Sequence, residues 1–90
     1  MYCIYKYPLN NIPGGNIIEM PEDAQILKLG YDPNGVLCIW AFVQPDLPKK
    51  NKTILLTGTG WPFEAEEWMK LHYIDTINDG PYVWHAFEVS

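Results

Sequence analysis

The sequence predicts a mainly β domain, a small rolled or barrel-like antiparallel sheet of five to six strands with one short helix. Three observations lead there. Eight prolines and seven glycines are spread along 90 residues and cut the chain into short apolar runs, rich in β-branched and aromatic side chains and too short for long helices. Asp32-Pro33-Asn34-Gly35 stands between two of these runs and has the chemistry of a type I turn with a following bulge, with Pro where φ is already negative and Gly where φ turns positive. Only one stretch, Trp61 to Lys70, carries helix signals.

Tyr2 to Tyr7 is aromatic and β-branched and stops at Pro8, which suits a strand. Asn10 to Asn16 reads as a loop, and Ile17 to Pro21 as a short edge strand, since Pro21 removes a ladder donor. The hairpin follows. Its first arm, Ala24 to Tyr31, places Leu27, Leu29 and Tyr31 on one face and Lys28 on the other; its second, Val36 to Val43, is apolar on both faces and belongs mid-sheet, covered on each side. Asp46 to Lys52 reads as a solvated lysine loop, and Thr53 to Thr59 as the next strand. In the helix candidate, Pro62 suits the first turn, Glu64 the N-terminal dipole, and Glu66 pairs with Lys70 at i, i+4. Leu71 to Ile77 and Tyr82 to Val89 return to strand character around the Asn78-Asp79-Gly80-Pro81 turn. With 48% hydrophobic and 19% charged residues and no repeat or linker, residues 1–90 read as one globular domain.

Eleven acidic residues against six basic ones give a net charge of −5, so the long-range field repels nucleic acid backbones and anionic membranes. Every basic residue is a lysine, and the bidentate fork that arginine offers to phosphate and guanine is missing. Direct nucleic-acid and membrane partners are therefore not expected. Cys3 and Cys38 lie 35 positions apart, without metal spacing, in strand-like runs; both are expected as free, buried thiols of a reducing cytoplasm. The first residues show no leader pattern and no run is long enough to cross a membrane as a helix.

The most site-like stretch is Thr57-Gly58-Thr59-Gly60-Trp61. Its two glycines let backbone approach a ligand, and Trp61 offers a stacking face; the plainer alternative is a glycine-mediated strand exit. It has neither the ending of a phosphate loop nor the third glycine of a dinucleotide motif. His85, between Trp84 and Ala86, reads as a hydrogen-bonded core or interface histidine and joins the candidate ligand-binding set. Ser90 is the only serine and the last residue, which removes serine-triad chemistry, while a thiolate is disfavoured in the strands that hold the cysteines. Glu64, Glu66 and Glu67 read as a solvated helix face or, with Asp75 and Asp79, as an acidic patch for a basic partner. No catalytic residue, metal site or cofactor is expected.

Met20-Pro21-Glu22-Asp23-Ala24-Gln25-Ile26-Leu27, Gly58-Thr59-Gly60 and Val83-Trp84-His85-Ala86-Phe87-Glu88 resemble a family of short uncharacterised phage and prophage proteins, a domain of unknown function. The resemblance implies a phage-encoded accessory protein acting in the host bacterial cytoplasm. That context, taken with the aromatic residues, the Gly-Thr-Gly-Trp loop and the net charge of −5, suggests two roles. One is a non-enzymatic anti-defence binder that sequesters a small nucleotide-like ligand at subunit interfaces, around Thr57, Gly58, Thr59, Gly60, Trp61 and His85. The other is an acidic inhibitor of a host defence protein, such as a nuclease. Four Trp, six Tyr and three Phe in so short a chain further predict a homo-oligomer, a dimer at least.

Overall fold

The computed structural model describes residues 1–64, 66 and 69–90. Seven strands run through them: β1 (Cys3–Pro8), β2 (Gly14–Pro21), β3 (Gln25–Tyr31), β4 (Leu37–Val43), β5 (Lys49–Gly58), β6 (Leu71–Asp79) and β7 (Tyr82–Val89). They form two antiparallel sheets, ordered β1-β4-β3 and β2-β5-β7-β6. The sheets lie face to face around one core, with Leu29 and Ile39 from the first meeting Ile54, Leu56 and Trp84 from the second. Each fully buried Leu or Ile of this kind contributes roughly 1.5–3 kcal/mol. Met20 on β2 packs with Ala41 and Val43 on β4 in a second cluster, toward the β1/β2 side.

This is an open sandwich of seven strands, which corrects the expected roll or barrel of five to six. Two expected loops are partly strand: Gly14 to Asn16 and Lys49 to Lys52 pair as β2 and β5, with Pro21 opposite Lys49 and Gly14 opposite Leu56. The helix is also corrected. Among the described residues there is none, and Trp61 to Glu64, Glu66, Met69 and Lys70 follow an irregular path. Ala65, Glu67 and Trp68, which the helix expectation also covers, lie outside the described residues. Tertiary partners outweigh local propensity here, because Phe63 stacks on Phe87 and Trp61 meets Trp84 edge to face.

The hairpin is present. Asp32 N–H donates to Val36 O and Gly35 N–H to Asp32 O, each at 2.9 Å, with Gly35 at φ 79°. The Asp32 carboxylate accepts from the N–H groups of Asn34 and Val36 and from Lys6 Nζ at 2.8 Å. The Lys6 hydrogen bond, ahead of the Val36 one, holds the Asp32 carboxyl below its ordinary value, and Lys6 is raised in return. The first arm departs from simple alternation. A bulge between Ile26 and Lys28 turns Leu27 outward, so Leu29 enters the core without Leu27 or Tyr31 beside it.

β3 and β6 meet along one side of the sandwich, where side chains join what no ladder spans. Asp75 Oδ2 accepts from Leu29 N–H at 3.2 Å, and Asp79 Oδ2 accepts from the Tyr31 hydroxyl at 2.6 Å and from Trp84 Nε1 at 3.4 Å. These bonds commit Asp75 and Asp79 to the seam instead of a free acidic patch. Cys38 is buried and burial pushes its thiol up, whereas Cys3 is only half-buried; both are free.

Candidate functional site

β5 and β7 carry the site because their outward positions alternate in register. Thr57 lies opposite His85, and His85 lies opposite Thr76 on β6. After Gly58 the chain turns: Trp61 N–H donates to Gly58 O at 3.0 Å, Gly60 takes φ 79°, and Thr59 N–H stays tied to Val83 O at 3.1 Å. That turn brings the Thr59 hydroxyl within 2.6 Å of His85 Nε2. On the other side of the ring, Nδ1 is 3.0 Å from Thr76 Oγ1, which is 2.7 Å from the Tyr73 hydroxyl. A single row of hydrogen bonds thus crosses three strands on the outer face of the four-stranded sheet.

Both imidazole nitrogens are engaged by hydroxyls, which donate or accept as required. Among the described residues no carboxylate orients the ring and no thiol or serine adjoins it, and hydroxyls on both nitrogens suit polar recognition. Among the described residues no cluster of His, Cys, Asp and Glu is placed to hold a metal ion.

Trp61 lies on the other side of β5, at the end of the core, because Gly58 pairs with core-facing Trp84 while Thr57 pairs with His85. The Trp61 indole lies so tightly over Gly58 that a Cβ at that glycine would sit 3.0 Å from Cδ2. The ring is held edge-on by Trp84, at 5.2 Å between centroids, and by Tyr82 at 6.0 Å, yet it stays 41% exposed. A recess of about 300 Å³ opens between Gly58, Thr59, Trp61 and Tyr82, and a smaller one of about 140 Å³ lies on the Thr57 and Phe63 side.

All six sequence-derived candidates therefore gather at one end of β5 and β7: Thr57, Gly58, Thr59 and Gly60 in succession, Trp61 folded back over Gly58, and His85 bound to Thr59. Glu64 and Glu66 are exposed and off any helix, and Glu67 lies outside the described residues. Sequence reasoning missed Thr76, Tyr73 and Tyr82. The alternation of β6 against β7 was the signal that could have found the first two. It also missed a larger apolar groove, about 530 Å³, on the outer face of the three-stranded sheet around Trp40 and Gly30.

A family model described as Domain of unknown function (DUF7352) matches residues 1–90. The chain belongs to that family. No curated protein and no solved structure matches the chain. The DUF7352 description names neither a phage nor a prophage source, so the expected origin stays with the resemblance alone. For this DUF7352 domain the physical chemistry of the site has to carry the functional argument.

Proposed function

We propose that this DUF7352 domain is a non-enzymatic binder that sequesters a small, ring-bearing ligand of nucleotide type beside Trp61. The observation that carries the reading is Trp61, a half-exposed indole beside a recess that Thr59 also lines, with the Thr59 hydroxyl bonded in turn to His85. An aromatic face next to hydroxyls of adaptable polarity recognises a base or nucleoside by stacking and edge hydrogen bonds. The recess walls hold no lysine, so any phosphate would be met by backbone N–H groups and threonine hydroxyls, and the ring supplies most of the affinity. Completion of the site by a second subunit and an anti-defence role as a phage-type accessory protein belong to the same reading, the former resting on the aromatic content of so short a chain.

Among the described residues, the competing acidic-inhibitor reading keeps the exposed Glu64 and Glu66, since Asp75 and Asp79 are bonded within the β3/β6 seam. Native mass spectrometry of protein purified from bacterial cells separates the two readings: a small mass retained on the chain supports sequestration, and a retained protein supports inhibition. Titration against a panel of linear and cyclic nucleotides and nucleosides is the second test. Replacing Trp61 by Ala is expected to weaken a binding member by about 1–3 kcal/mol, as for bases stacked on aromatic side chains. Absence of binding to every panel member, with no small mass retained, overturns the proposal.

A further inference from the structure

The face of the sandwich away from His85 holds a second, differently built site. Its floor is the Trp40 indole, set in register between Lys6 on β1 and Lys28 on β3. Beside the ring lies Gly30, where a Cβ would fall at ordinary contact, 3.6 Å from the indole and 3.5 Å from the Lys28 stem. A Cβ would fit there without a clash, although Trp40 and the Lys28 stem already cover the buried glycine. Ile4 and Leu27 rise on either side, 60% and 48% exposed, and Ile77 closes the groove from β6. Leu27 stands there because the β3 bulge turns it out of the alternating pattern. The groove is open to solvent, and its volume of about 530 Å³ is of the size of small-molecule sites.

The two lysines beside Trp40 differ. Lys6 is bound to Asp32 at 2.8 Å and serves the turn. Lys28 has a side chain 66% exposed, and its ammonium lies 4.0 Å from Asp75 Oδ2, an oxygen that already accepts from Leu29 N–H. Among the described residues, the outward positions of β1, β4 and β3 present these two cations and no carboxylate. A second copy laid symmetrically over this face would oppose lysine to lysine, whereas an anion with an apolar body finds a partner for each part.

We propose that this groove binds a small amphipathic monoanion, a medium-chain carboxylate, with its hydrocarbon on Trp40 and Gly30 between Ile4 and Leu27 and its carboxylate on Lys28. Calorimetric titration with decanoate below its micellar concentration tests this, with decyltrimethylammonium as the control of equal chain length and opposite charge. Decanoate is expected to bind one per chain, and the cation about tenfold more weakly or not at all. Lys28→Gln should weaken decanoate about fivefold, the scale of one exposed charge pair, with the melting temperature unchanged. Gly30→Val should abolish binding by filling the room beside Trp40. If that variant fails to fold, Leu27→Ser, an exposed position, serves in its place and should weaken binding. The proposal is overturned if the wild type does not bind decanoate, if cation and anion bind alike, or if Lys28→Gln leaves affinity unchanged. It is also overturned if sedimentation shows a dimer that Leu27→Glu dissociates, because a second copy then occupies the groove.

Discussion

Each sheet of the sandwich sets a tryptophan against a glycine, and the two pairs are used in opposite ways. At Gly58 the space a side chain would need is filled by Trp61, which a Cβ would approach to 3.0 Å. At Gly30 a Cβ would be accommodated in ordinary contact, 3.6 Å from Trp40. One glycine permits close packing and anchors an irregular segment; the other leaves room for a side chain at a strand surface. A glycine in a strand is therefore uninformative until its neighbour is known.

The sharpest way to break this comparison is to add the same methyl group to both. Gly58→Ala should cost about 1–3 kcal/mol, the range for overpacking, because either the indole or β5 must move; urea melts measure the loss, and an unchanged midpoint would show that Trp61 is loosely held. Next in size, Asp75→Ala should cost about 1–2 kcal/mol by leaving the N–H of buried Leu29 without its acceptor. This change should loosen the β3/β6 side of the Trp40 groove and leave binding at the Trp61 end unaffected, as parallel titrations would show.

A smaller loss accompanies acid. The folded carboxyl of Asp32 lies below its ordinary value of 3.8, chiefly through Lys6, so its contribution is present above that value and disappears as pH falls through the lower folded value. Melts at successive pH values below 4 should show this slope, and Asp32→Asn should be less stable at neutral pH and should flatten it. The smallest effect is expected at the uncrowded glycine, where Gly30→Ala should leave stability unchanged or raise it by about 0.5 kcal/mol, since Ala suits a strand interior better than Gly. A loss at Gly30 equal to that at Gly58 would erase the contrast.

What the sequence disclosed follows the same division between local and distant causes. The Asp32 to Gly35 turn was legible because its Asp, Pro and Gly act within four residues, and the mid-sheet place of β4 because its run is apolar; the cover expected on both faces is corrected, since the outer one leaves Phe42 38% exposed. The number of sheets was not legible. It depends on Asp75 and Asp79 reaching Leu29 and Tyr31, 46 and 48 positions away, and no local pattern announces such a seam. The helix expectation failed for a related reason, as Pro62, Glu64 and Lys70 suit a helix while Trp61 and Phe63 are drawn to Trp84 and Phe87. At the candidate site, Thr59 and Trp61 were visible as a motif. Thr76 and Tyr73 needed the register of β6 against β7.

The carboxylate seam also governs how copies of this chain can add to one another. β3 and β6 meet side by side and their flank is occupied, so strand addition has only β1 and β2 to use, and these lie together on the opposite flank. A strand arriving at the β3/β6 flank would first have to displace the bonds that Asp75 and Asp79 make across it, so the seam guards that flank against edge pairing.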